Sequence, residues 1–200
     1  MDSFKVKTPG NEFNVEYFCS FVRKGDVKTD SSGFNELCKS GCKNYGRKYS
    51  CPPFSPSFES LSSGHGGLFV LIFRCNLSQI KSTEYNKLRI ANVVMKSRID
   101  KLMRVLEQRF GTKFLSTGSC RLCKPCRAKL NQPCRHPDKR RYSLEAVGID
   151  CNHLSQALFK IPLQWFRNKK SPEYTCVLCG LLSDEKDAQK IEEKIQKILL

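Results

Sequence analysis

Cys38-x3-Cys42-x8-Cys51 and Cys120-x2-Cys123-x2-Cys126-x7-Cys134 gather seven of the chain's twelve cysteines into two short stretches. Thiolates are the ligands that zinc and iron-sulfur clusters favour, and spacing this tight suits a metal site better than a disulfide framework. In the second stretch three thiols at steps of three can turn onto one compact object. The expectation is a metal site at each stretch.

The two rival metals ask for different spacing. Structural zinc sites generally pair two separated C-x2-C knuckles, whereas overlapping steps match the first three cluster ligands of a bacterial-type ferredoxin. The reading is therefore a 4Fe-4S cluster at Cys120, Cys123 and Cys126, with zinc as the alternative. Cys134 is the natural fourth ligand by proximity, although Cys51-Pro52 has the local form of the Pro-followed ferredoxin cysteine that serves another cluster. His136, two residues after Cys134, either ligates metal or hydrogen-bonds a cluster sulfur, or only caps the loop. Cys38, Cys42 and Cys51 are one ligand short. Either they hold their own cluster, with one iron open to a small substrate, or a distant residue completes the set: Cys19, Cys75, Cys151, Cys176, Cys179 or a histidine. Between one and two clusters per chain follow. Cys176 and Cys179, three apart on a strand, point to opposite faces and read as separate buried thiols. His65 and His153 read as structural, and no glycine-rich phosphate loop, G-x-S-x-G or H-E-x-x-H is present.

Charge follows the cysteines. The formal net charge is +16. Cys38 to Cys51 carries four basic residues and no acid, Cys120 to Arg141 eight against one, and Lys81 to Phe110 eight against three. A solvated face is the bland reading of a basic run, but cations beside thiolates also offset cluster charge or receive an anionic partner. Lys43, Arg47, Lys48, Arg121, Lys124, Arg127, Arg135, Arg140 and Arg141 are the expected contacts. The partner reads as an acidic redox protein, or else RNA. The start, MDSFKVKTPG, has no apolar core for a signal, and Leu68 to Phe73 is too short to span a bilayer, so a cytoplasmic protein without a membrane contact is expected.

Regular elements must hold these loops in place. Asn14 to Arg23 reads as a first strand, with a polar turn over Gly25 to Gly33. Leu68 to Cys75 is a continuous apolar run and reads as a central strand buried on both faces. Leu88, Ala91, Met95, Ile99, Leu102, Leu106 and Phe110 step by three and four, predicting a helix over 83–110 capped by Ser82 or Thr83 and closed by Gly111, with Met95 and Met103 as core. Lys113 to Ser116 and Tyr174 to Leu182 read as strands. Asn152 to Lys160 reads as a helix capped by Asp150, and a last helix covers 183–199. Glycines and prolines make the first cysteine stretch, 38–56, and the second, 118–141, read as irregular loops. The sum is one domain of α/β or α+β class, a small sheet packed by a long helix and a C-terminal helix.

Across these residues the chain resembles a family of predicted metal-binding proteins, domain of unknown function 2284. The resemblance rests on Cys38-x3-Cys42-x2-Tyr45-Gly46, Tyr49-Ser50-Cys51-Pro52-Pro53, and Gly118-Ser119-Cys120-x2-Cys123-x2-Cys126. It continues through Pro133-Cys134-Arg135-His136-Pro137 to Ser143-Leu144-Glu145-Ala146-x-Gly148-Ile149-Asp150, in all roughly residues 34 to 151. Metal binding is what the resemblance implies. From the residues themselves three functions are open: an iron-sulfur protein that transfers electrons or serves a partner enzyme, an iron-sulfur enzyme acting through a three-cysteine cluster, and a zinc-stabilised RNA-binding module.

Overall fold

A computed structural model describes residues 2–199. Five strands form one antiparallel sheet in the order β1-β2-β3-β5-β4: β1 Asp2–Thr8, β2 Asn11–Arg23, β3 Gly67–Asn76, β4 Phe114–Leu115 and β5 Tyr174–Ser183. The helices are α1 Ser31–Gly41, α2 Phe58–Leu61, α3 Glu84–Phe110, α4 Cys151–Phe159 and α5 Ala188–Leu199. With no parallel pair in the sheet, the class is α+β, and the α/β alternative falls away.

The strand β3 is central, which accounts for its unbroken apolar run. Its side chains alternate between two cores: Phe69, Leu71, Phe73 and Cys75 lie with α3 and α5, and Leu68, Val70 and Ile72 face the side of α4 and the loops. Strand β5 alternates in the same way, so Cys179 enters the first core and Cys176 packs on the second, as their spacing predicts. The stripe on α3 is the other strong signal. Ala91, Met95, Ile99, Leu102, Met103 and Leu106 are all buried, and Gly111 closes the helix at φ 64°. Thr83 occupies the N-cap position but its side chain makes no capping bond.

Three expectations need correction. The strand expected over 14–23 is not the first but the second, β2: β1 precedes it and the two form a hairpin, Thr8 opposite Asn11, with Phe4 and Val6 buried on one face. The last helix starts later than Ser183, which is the end of β5; a short 3-10 turn over Glu185–Asp187 intervenes before Ala188. The polar segment before Cys38 is not all turn. Asp30 accepts a hydrogen bond from Gly33 N at 2.8 Å and caps α1, which carries the chain to Gly41.

Gly148 sets where α1 stands. Its carbonyl accepts from Asp30 N at 2.7 Å, Thr29 bridges Ile149, and Asp150 N donates to Lys28 O at 3.0 Å. Gly148 has φ 91°, and a Cβ there would lie 2.2 Å from Ser31 Oγ and 3.0 Å from Ser31 Cα. Gly148→Ala is expected to destabilise the fold by at least about 1–2 kcal/mol, since a side chain disfavours the left-handed region even before the contact with Ser31 is counted. Thermal unfolding checks this; an unchanged melting temperature contradicts it.

Candidate metal centre

Cys38 lies in the last turn of α1 and Cys42 is its C-cap, the Cys42 N–H donating to Cys38 O at 3.0 Å. The first cysteine set is thus half helical, contrary to the loop expected over the whole of 38–56. A spacing of four places both side chains on one helix face, which a Cys-x3-Cys pattern after an Asp cap does signal. Cys51 arrives from the opposite side on a bent loop. There Gly46 N donates to Pro52 O and Cys51 N to Lys48 O, each at 3.0 Å, and φ at Gly46 is 61°.

These three thiols line one small cavity of about 120 Å³, several times the space that one water needs. Cys51 is the buried member, 8% exposed, whereas Cys42 is open to solvent. Burial pushes the Cys38 thiol up, and Cys42 and Glu145 add to this. Burial likewise raises Cys51, opposed by the Ser50 hydroxyl. None of Cys19, Cys75, Cys151, Cys176 and Cys179 lines this cavity. Glu145 does. Its position in the Ser143-Leu144-Glu145-Ala146 stretch, outside both cysteine sets, does not mark it as a site residue. Contact between α1 and the 3-10 turn Glu145–Val147 holds it against Cys38.

The second set sits on a long excursion whose ends are tied together. Ser116 N donates to Tyr142 O at 2.7 Å, and Ser116 bridges Ser143. Cys126 caps a 3-10 turn over Arg127–Leu130, anchored by buried Ala128. Cys123 and Cys126 line a cleft of about 330 Å³, and Cys120 lines a neighbouring cleft of about 520 Å³. Cys134 and His136 are half-buried farther along, and the His136 carbonyl accepts from Arg140 N at 3.0 Å. Among the described residues no trio of His, Cys, Asp or Glu side chains is drawn tightly enough to hold a metal ion.

The two loops are locked to each other. Lys48 Nζ donates to Ser119 Oγ at 2.9 Å and to Cys120 O at 3.0 Å, and Tyr49 OH donates to Gln132 O at 2.7 Å. Buried Ser50 accepts from Cys120 N at 2.9 Å while its Oγ lies 3.8 Å from Cys51 Sγ. One hydroxyl thus spans the two cysteine sets.

The cations divide. Lys43, Arg47, Arg121, Lys124 and Arg135 are exposed. Lys48 is held by the bonds just described. Arg141 is engaged with Glu107 at 2.5 Å and with the carbonyls of Asp138 and Arg140, and Arg140 lies over the rings of Tyr49 and Tyr142. These three brace the loops, which removes them from the freely accessible surface expected of partner contacts. Arg127 Nε and Arg140 Nε are buried with no hydrogen-bond partner.

The remaining cysteines belong to the cores. Burial pushes Cys19, Cys75 and Cys176 up to about 12, and Cys151 and Cys179 are raised well above the ordinary range by the same cause. Because the thiolate is the nucleophile, these five stay unreacted with iodoacetamide at pH 8 in metal-free folded protein, while exposed Cys42 reacts first. Mass spectrometry of the alkylated protein checks the order; early labelling of Cys75 or Cys179 contradicts it.

No helix among the described residues is long and apolar enough to cross a membrane. No curated protein and no solved structure matches the chain. A family model described as predicted metal-binding protein (DUF2284) matches residues 21–182, a span from the second half of β2 almost to the end of β5 that contains both cysteine sets. The chain therefore belongs to this predicted metal-binding family.

Proposed function

We propose that the protein is an iron-sulfur protein that carries electrons to a partner, with one 4Fe-4S cluster at Cys120, Cys123, Cys126 and Cys134 and a second cluster at Cys38, Cys42 and Cys51. The observation that carries this reading is the first cavity, where three thiols line a volume of about 120 Å³. Zinc holds sulfur at about 2.3 Å, which draws its ligands tightly together. A cluster has a body of its own, and its ligands must stand around it. The donor set also fits. All seven residues assigned to the two clusters are thiols, and Arg127, next to Cys126, offers a buried N–H without a partner to an anionic group.

A bound cluster supplies one-electron transfer. The chain supplies the rest. Lys43, Arg47, Arg121, Lys124 and Lys129 line the cleft that contains Cys123 and Cys126, and no carboxylate lines it. Such a surface steers an acidic redox partner to the side where the thiols lie. Ser50, between Cys120 and Cys51, gives the two sets a shared hydrogen-bonded contact.

Stopped-flow reduction of an acidic acceptor such as flavodoxin tests the docking. The expected rate falls steeply as ionic strength rises, and Arg121→Glu with Lys124→Glu slows it at least about tenfold at low salt. A rate indifferent to salt and to both substitutions contradicts the proposal. A second reading, an iron-sulfur enzyme, is favoured by Glu145: it lies on the walls of both the three-thiol cavity and a larger adjoining pocket. There the first set would leave one coordination position without a thiol, facing a place for substrate.

A further inference from the structure

The larger pocket beside Glu145 has a volume of about 260 Å³ and lies between α3, β5 and the segment after α4. Its polar groups are mostly donors. Asn92 Oδ1 already accepts from Thr175 Oγ1 at 3.2 Å, and Gln164 Oε1 accepts from Tyr174 N at 3.4 Å. Those bonds orient both amides, so their N–H groups are what remains to offer, and among the described residues neither has a protein acceptor. Lys96 joins them from α3, one turn after Asn92, with no carboxylate within salt-bridge distance among the described residues.

Lys96 shares this wall with a carboxylate, Glu145. Burial lowers the Lys96 ammonium's pKa, Arg121 lowers it further, and Glu145 opposes both more weakly. Arg121 itself lies outside the pocket, which therefore carries one cation and one carboxylate. The remaining walls are mixed: Leu88, Leu163, Trp165, Phe166, Val177 and Leu178 give an apolar part, and Thr117, Thr175, Cys151 and Cys176 complete the lining. A hydrated inorganic anion gains nothing from the apolar part. An organic anion with an apolar body gains from both the donors and the walls.

We propose that this pocket binds a monocarboxylate carrying an apolar chain, its carboxylate received by Lys96, Asn92 and Gln164. Glu145, which lines both this pocket and the three-thiol cavity, relates the two by proximity, and any role for that relation rests on the reading of that cavity as a metal centre. Binding itself does not.

Trp165 is the only tryptophan in the chain, lies on the pocket wall and is 55% exposed, so its fluorescence reports occupancy without any metal-dependent signal. Anaerobically purified protein is titrated with hexanoate, hexanamide and inorganic phosphate. The expected result is a saturable change with hexanoate, at least about tenfold weaker binding of hexanamide, and a similar loss in Lys96→Gln, since a charge-assisted hydrogen bond is lost in either case. Equal binding of hexanamide, indifference to Lys96→Gln, or tighter binding of phosphate than of hexanoate overturns the proposal. The titration is repeated on Cys51→Ser, in which the first metal centre is removed. Hexanoate binding retained there confirms that the pocket stands apart from the metal reading. Binding that vanishes there in protein that circular dichroism shows to be folded at the temperature of the titration overturns the donor set described here.

Discussion

Replacing Cys123 with serine is expected to remove one cluster's visible absorbance and to leave about four of about eight irons per chain. Serine preserves size but not chemistry: its hydroxyl stays protonated at neutral pH, whereas a cluster ligand must be deprotonated. Cys123 lines the cationic cleft with Cys126, in a segment held by the 3-10 turn behind it and by the tie between Ser116 and Tyr142. Its loss therefore disturbs one set and spares the other, which is anchored on α1 and the loop to Pro52. Cys176→Ser is the control. Cys176 packs on the sheet face opposite Cys179, so iron content stays the same. Iron and acid-labile sulfide analysis beside the absorption spectrum decides; a Cys123→Ser protein with its spectrum and iron intact removes that residue from the ligand set.

Cys51→Ser carries a double penalty. The first set loses one of three thiols, so its iron is expected to disappear while the absorbance of the second cluster persists. Cys51 is also buried, and a hydroxyl put there without a satisfied hydrogen bond costs about 1–3 kcal/mol by comparison with other buried polar groups. A lower melting temperature should therefore accompany the loss of iron, and metal removal alone from the unaltered protein should reproduce only part of it. Full iron content at an unchanged melting temperature contradicts the placement of Cys51 in the first set. Combining Cys51→Ser with Cys123→Ser is expected to give colourless protein.

What the sequence makes legible follows from the range of each interaction. Thiol spacing is local, so both cysteine sets stand out at once, and their basic surroundings with them. The stripe on α3 and the apolar run of β3 are also local patterns, with periods near 3.6 and continuous burial respectively. The hairpin has a local signal too: Phe4 and Val6 alternate before Pro9-Gly10, and residues 8 and 11 pair around that turn. Helix α1 was hidden for a different reason. It buries no side chain fully, so no apolar stripe announces it, and only the Asp30 cap and the Cys-x3-Cys step remain as signals.

The identity of the cavity wall could not come from spacing. Glu145 follows Cys38 by more than a hundred residues and reaches it only because Asp30, Gly148 and Lys28 pin α1 to the segment before α4. The same holds for the braces. Lys48 and Arg141 have the look of free surface cations in the sequence, but one ties the two loops and the other is joined to Glu107. The sets themselves are separate in the chain and joined in space by Ser50, a residue whose type carries no such signal.

The central claim is that the thiols hold iron-sulfur clusters, and anaerobic purification followed by iron, sulfide and zinc analysis tests it most directly. The account predicts brown protein with about eight irons and about eight acid-labile sulfides per chain, its visible absorbance bleached by dithionite. Colourless protein with stoichiometric zinc and no sulfide would contradict it.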